Sequence, residues 1–207
     1  MTIWAIVPVK PLKRAKSRLS DVLSRDEHAA LCRELLGNTL DVLASVNGIE
    51  RTLVVSRDSS ALAMAREHGA RTVTERAKGR LNRALIRATV VARGYGVSGV
   101  LILPADLPLI REEDILKLLD LATPPPVVVL APDRRGKGTN ALLSSPPGLI
   151  NYEFGRDSFS KHLADAKKSG ARVEICKLDS FGLDLDEPED LELLRARGSL
   201  IENRRKE

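Results

Sequence analysis

Aromatic side chains are scarce, with one Trp, two Tyr and three Phe in 207 residues. Modules that stack nucleobases usually display several rings on one surface, and rings scattered this thinly supply no such platform. Cysteine is scarcer still: Cys32 and Cys176 stand far apart, with no C-x-x-C and no neighbouring His pair. That excludes a local zinc or iron–sulfur framework and fits thiols in a reducing compartment. No apolar run approaches the roughly 18–20 residues of a membrane span. The opening stretch to Pro8 is too short for a signal peptide, so a cytoplasmic protein, without a membrane partner, is expected. A Walker-type G-x-x-x-x-G-K-[ST] loop and a G-x-S-x-G nucleophile elbow are both missing. His28, His68 and His162 show no paired spacing, and none is assigned as a catalytic base.

What is present is an ordinary globular composition, 43% hydrophobic and 29% charged, with a net charge of +5. The length suits one domain, expected over residues 1–200, with a frayed basic tail at 201–207. Short apolar runs alternate with helical periodicities. Ile3 to Val9, Thr52 to Val55, Arg71 to Val73, Val100 to Leu103, Val127 to Leu130, Asn140 to Leu143 and Arg172 to Leu178 read as strands. Between them, Ser24 to Val46, Ser59 to His68, Leu81 to Arg93, Glu112 to Leu121, Ser158 to Ser169 and Glu187 to Arg197 read as helices. The first is opened by the capping box Ser24-Arg25-Asp26-Glu27. Alternation of this kind implies parallel crossovers and a doubly wound α/β/α sandwich. Ligands then collect beyond the carboxyl ends of strands, in the loops after Val9, Leu103 and Leu130.

Those loops carry the chemistry. Lys10 to Arg18 holds five cations in nine residues, a place to hold phosphates or a solvated basic loop. Asp106 follows a strand between Pro104 and Pro108, which suits either a carboxylate held for a hard cation such as Mg²⁺ or a turn-forming Asp. Asp186 reads as the N-cap of the last helix, with Glu189 at N3 and Pro188 in the first turn. Asp184 is left unexplained by capping, and an alternating Asp184-x-Asp186 at a strand end projects both carboxylates to one side. With Asp106 these make a site for one or two Mg²⁺ ions. The segment from Pro132 to Asn140 reads as a donor-rich turn. Phe154-Gly155-Arg156-Asp157-Ser158 opens a helix whose backbone N–H groups, at Gly155 and Ser158, suit a phosphate or carboxylate.

Taken together the segments resemble the 2-phospho-L-lactate and phosphoenolpyruvate guanylyltransferases of deazaflavin coenzyme (coenzyme F-420) biosynthesis. The resemblance rests on Val7-Pro8-Val9-Lys10 with Lys16-Ser17-Arg18-Leu19, on Leu81-Asn82 with Ala84-Leu85, and on Leu103 to Pro108. It continues through Gly138-Thr139-Asn140-Ala141-Leu142, Phe154-Gly155 with Asp157-Ser158-Phe159, and Asp184 to Leu191. It implies a Rossmann-like nucleotidyltransferase of the nucleotide-diphospho-sugar transferase type, with a mostly parallel sheet. Such an enzyme joins GMP from GTP to the phosphate of a small phosphorylated carboxylic acid and releases pyrophosphate with Mg²⁺. Carried over by position, Thr139, Gly155 and Ser158 hold the acid, and Asp106, Asp184 and Asp186 hold the metal. Lys10, Lys16 and Arg18 hold the triphosphate, and Asp106 and Lys16 act in catalysis. Arg80 stands where the family pattern has Gly before Leu-Asn, and the guanine contact falls on Asn82. The resemblance further implies a downstream coenzyme-biosynthesis transferase that receives the product, and it leaves a homodimer open.

The residues do not decide between the two acids, and the reading leans to 2-phospho-L-lactate. Two other readings stand beside it. One is a sugar or cofactor nucleotidyltransferase with another NTP and acceptor, against which the Gly138 to Leu142 and Phe154 to Phe159 segments argue. The other is a basic nucleic-acid-binding module with residues 10–18 as its footprint, against which the scarcity of aromatics weighs; no nucleic-acid partner is expected.

Overall fold

The structure, a computed structural model, describes residues 2–12, 19, 21–75 and 81–197. Lys16, Arg18, the 79–80 segment and the 201–207 tail lie outside the described residues. The strands are β1 (Ile3–Val9), β2 (Ile49–Ser56), β3 (Arg71–Thr74), β4 (Gly99–Ile102), β5 (Val127–Pro132), β6 (Thr139–Ser145) and β7 (Arg172–Ile175). The helices are α1 (Arg25–Ser45), α2 (Ser59–Glu67), α3 (Leu81–Gly94), α4 (Glu112–Leu121), α5 (Ser158–Lys168), α6 (Asp179–Gly182) and α7 (Pro188–Ala196).

The strands form one sheet in the order β3-β2-β1-β4-β6-β5-β7. Neighbours run parallel except at β6, which is antiparallel to both β4 and β5. The exception has a local cause: only a short turn separates β5 from β6, and a connection that short can join antiparallel strands only. Reversal at β6 matters for function, since it brings the amino end of β6 to the edge where β1, β4 and β5 end.

Both faces of the sheet are covered, and the side chains divide by the two-residue period of a strand. In β1, Ile3, Ala5, Val7 and Val9 enter one core layer with Leu36 and Leu40 of α1 and Ile115 and Leu118 of α4. Trp4 and Ile6 enter the other, with Leu85 and Ala88 of α3 and Ala166 of α5. The same division recurs in β5, where Val127 and Val129 face the first layer and Val128 and Leu130 the second. A strand buried on both faces reads as a continuous apolar run, which is why these segments were recognisable.

Two departures from the sequence reading bear on the site. Helix α7 begins one residue later than expected: Glu187 is its N-cap, with Pro188 at the first helical position and Asp190 at N3, rather than Asp186 with Glu189 at N3. Asp190 wins because its carboxylate accepts from the N–H of Glu187 at 2.8 Å. Asp186 is thereby released from capping and falls in the loop between α6 and α7. The expected strand end before Asp184 is absent; the four-residue α6 stands there, too short for helical periodicity to reveal.

Candidate active site

A cleft of about 1070 Å³ opens where β1, β4 and β5 end and β6 begins. Lys10, Asp106, Thr139, Gly155, Ser158, Asp184 and Asp186 all line it. Residues separated by up to 176 positions in sequence thus share one surface.

Asp106 is presented by a short turn pinned on both sides. The N–H of Leu103 donates to the carbonyl of Ile6 at 3.0 Å, prolonging the contact between β1 and β4, and both Leu103 and Leu107 are fully buried. With apolar neighbours drawn into the core, the carboxylate between them is left at the cleft. The same device repeats at Leu183-Asp184-Leu185-Asp186. Leu183 and Leu185 pack with Leu35 and Leu194 in a small satellite core, and the two aspartates line the cleft. The two segments are clipped directly, the N–H of Leu185 donating to the carbonyl of Asp106 at 3.0 Å.

This gathering has an electrostatic signature. Burial, then the negative charges of Asp106 and Asp186, push the Asp184 carboxyl up to about 6, against an opposing hydrogen bond from Asn140. That bond runs from Asn140 Nδ2 to Asp184 Oδ1 at 3.3 Å, and the same Nδ2 donates to the carbonyl of Phe181 at 2.8 Å. Like carboxylates forced together disfavour ionisation and favour a cation between them. Among the described residues no group of three or more His, Cys, Asp or Glu side chains is close enough to hold a metal alone. Hard oxygen donors in an incomplete cage fit Mg²⁺, which takes one or two carboxylates and completes its shell with water and substrate phosphate.

A buried anchor holds this loop. Asp190 is 5% exposed; one carboxylate oxygen accepts from Arg134 Nη2 at 2.6 Å, and the other from the N–H groups of Asp186 and Glu187 at 3.1 and 2.8 Å. Arg135 pairs with Glu187 beside it. The β5–β6 turn and the start of α7 are therefore tied across the cleft floor by charge-assisted bonds.

Elsewhere along the cleft, Thr139 is bound both to Ser158 and to a histidine. The N–H of Thr139 donates to Ser158 Oγ at 2.9 Å, and Thr139 Oγ1 lies 2.9 Å from His162 Nδ1. The turn before α5 is tightly coiled: Gly155 has φ of 130° and Asp157 has φ of 54°, left-handed values that glycine tolerates and aspartate adopts uncommonly. Asn82, expected at the nucleotide, is engaged with the turn before α5. Its side-chain amide closes a two-way bridge to Phe154, accepting from the backbone N–H at 2.9 Å and donating to the carbonyl at 3.3 Å. It pins this turn, and its neighbours Leu81 and Ala84 line the cleft instead. Lys10 follows a strand end fixed by Ser56 Oγ donating to the carbonyl of Val9 at 2.9 Å and by the N–H of Leu12 donating to Asp58 at 2.8 Å.

Sequence reasoning missed Asn140, Asp190, Arg134 and His162. Asn140 carried a signal, a lone amide directly before the apolar run Ala141-Leu142-Leu143. His162 carried none, since a single buried histidine on a helix has no diagnostic spacing.

An α/β/α sandwich with carboxylates gathered at its strand ends is shared with solved transferases of nucleotide substrates. The chain superposes on a protein from Desulfovibrio desulfuricans G20 described as a nucleotide-diphospho-sugar transferase, with a TM-score of 0.79, 17% identity, and coverage of 99% of this chain and 90% of that one. It also matches a nucleotidyl transferase from Methanothermobacter with a TM-score of 0.67, 15% identity, and coverage of 94% and 96%. The sequence then narrows the class: the chain belongs to the family of CofC-like guanylyl transferases, whose model matches residues 3–204. The phosphoenolpyruvate guanylyltransferase of Rubrobacter xylanophilus is 42% identical over 97% of each chain. The 2-phospho-L-lactate guanylyltransferase of Methanocaldococcus infernus is 36% identical over 90% of this chain and 81% of its own.

Proposed function

We propose that the protein is a Mg²⁺-dependent guanylyltransferase that joins GMP from GTP to the phosphate of phosphoenolpyruvate or 2-phospho-L-lactate, in coenzyme F-420 biosynthesis. The observation that carries this reading is the meeting of Asp106, Asp184 and Asp186 with Thr139, Gly155 and Ser158 in one cleft. Between the two acids the reading now favours phosphoenolpyruvate, against the earlier leaning to 2-phospho-L-lactate. It is the acid named in the 42% identical relative, whereas the relative named for 2-phospho-L-lactate is 36% identical.

A phosphate oxygen of the acid attacks the α-phosphorus of GTP, the new P–O–P bond forms, the bond to the β-phosphate breaks, and pyrophosphate leaves. The attacking oxygen is already anionic at neutral pH, so no protein nucleophile or general base is required. Positioning and charge neutralisation carry the rate. Thr139 and Ser158 offer hydroxyl donors and Gly155 a backbone that closely approaches the acid, while Lys10, with Lys16 and Arg18, meets the triphosphate. Asp106 and the Asp184/Asp186 pair would hold Mg²⁺, which when bound offsets the repulsion between the two anions.

Incubation with Mg²⁺, each of the four NTPs and each phospho-acid, followed by product mass, tests the reading. A diphosphate joining guanosine to enolpyruvate, GMP linked through the acid's own phosphate, formed with one equivalent of pyrophosphate from GTP alone, is expected. Product from another NTP, or none with either acid, would overturn it.

A further inference from the structure

The Thr139 hydroxyl stands in a chain of hydrogen bonds whose direction is fixed from its far end. The backbone N–H of Glu153 points at His162 Nε2 at 2.9 Å. An amide N–H can only donate, so Nε2 must offer its lone pair. A neutral imidazole carries one proton, which therefore sits on Nδ1, and Nδ1 lies 2.9 Å from Thr139 Oγ1. The threonine oxygen must accept there, and its own proton is left for a group in the cleft that Thr139 lines. Ser158 is committed in the same sense, since its oxygen accepts from the N–H of Thr139.

We propose that His162 is a positioning residue for the phospho-acid: held in its Nδ1–H form by Glu153, it fixes the Thr139 hydroxyl as a donor aimed into the cleft, so that the wall selects an anion. This deepens the guanylyltransferase reading and rests on it for the identity of the anion. The ring is suited to a fixed form. It is completely buried, its edge meets Phe154 at a centroid distance of 4.8 Å and 63° between planes, and burial holds its pKa down at about 4 against the attraction of Asp165. At neutral pH such a ring is uncharged. The opposite tautomer, with its proton on Nε2, would reverse the order of donors: Nδ1 would take the Thr139 proton, and the wall would present a lone pair to an anion.

Two substitutions separate the two ends of the ring. His162→Asn retains a donor at the δ position, toward Thr139. His162→Gln retains an acceptor at the ε position, toward Glu153, and gives up the donor. With phosphoenolpyruvate varied at saturating GTP, His162→Gln is expected to raise KM for the acid by about tenfold and leave KM for GTP unchanged. His162→Asn is expected to recover most of that loss. In a Thr139→Val background, His162→Gln is expected to add nothing further. Equal losses from Asn and Gln, a parallel rise in KM for GTP, or full additivity with Thr139→Val would overturn the proposal. A readout independent of turnover is the imidazole ¹⁵N spectrum of the parent protein at neutral pH, with the signal assigned by its loss in His162→Asn. A proton on Nδ1 and a bare Nε2 are expected; a proton on Nε2, or on both, would overturn it. Should the parent turn over no phospho-acid while this spectrum shows Nδ1–H, the substrate reading falls and the donor order stands.

Discussion

The backbone N–H of Leu185 donates to the carbonyl oxygen of Asp106 across 3.0 Å, clipping together two loops that lie 79 residues apart. Both partners contribute main-chain atoms, so the clip is indifferent to the Asp106 side chain. Its effect is to set the carboxylate after β4 against the pair before α7.

Asp106→Asn is therefore expected to fold as the parent does, with an unchanged far-UV spectrum, and to lose at least about 100-fold in pyrophosphate release. Turnover within a few-fold of the parent would remove Asp106 from the reacting centre.

The crowding at Asp184 has a thermodynamic counterpart. A carboxyl raised to about 6 by burial and by Asp106 and Asp186 is charged at neutral pH only at a cost. In buffer stripped of divalent cations at pH 7.5, Asp184→Asn is expected to raise stability by about 1–2 kcal/mol while abolishing activity. Thermal melting measures this; a lower Tm than the parent's would show that the charge is not strained.

Asp190 holds the same loop from beneath. Asp190→Ala leaves Arg134 and the N–H groups of Asp186 and Glu187 without their partner, which is expected to cost about 2–3 kcal/mol in denaturant unfolding. In an Arg134→Ala background the cost should fall, a coupling that a double-mutant cycle reads directly.

Acid stability depends on His162 in a definite direction. Its folded pKa, about 4, lies below the ordinary 6.5, set first by burial, with Asp165 opposing and Lys161 adding. Between these values the unfolded chain binds a proton that the folded one refuses, so stability is lost as pH falls from about 6.5 toward 4. The loss is on the order of 3 kcal/mol. Asp184 works in the opposite sense over part of this window, because its folded pKa is raised. The comparison is therefore parent against His162→Asn, whose stability should fall less steeply with acid. Identical slopes would contradict the assignment.

The sequence disclosed the sandwich because its central strands are buried on both faces and its helices carry strong periodicity and a capping box at Ser24. It also disclosed much of the cleft, since Asp106 falls in the loop after β4 and Ser158 at the start of α5, where ligands gather, while Thr139 and Asp184 were carried by the motifs around them. The partnerships stayed hidden. Whether Asp186 or Glu187 caps α7 turns on a single reach by Asp190, and neither propensity nor spacing distinguishes the two. The nucleotide contact at Asn82 rests on the family resemblance alone, and no spacing reveals that its amide is engaged by Phe154, 72 residues away. Long-range pairings such as these, and the tie between Thr139 and His162, exist only once the chain has closed.

The position of a bound divalent ion tests the shared clamp most directly. Crystals grown with Mn²⁺ and a non-hydrolysable GTP analogue would locate the metal by anomalous scattering. A peak within about 2.2 Å of carboxylate oxygens of Asp106 and of Asp184 or Asp186 is expected. A metal bound only to the nucleotide, or seated away from these carboxylates, would contradict it.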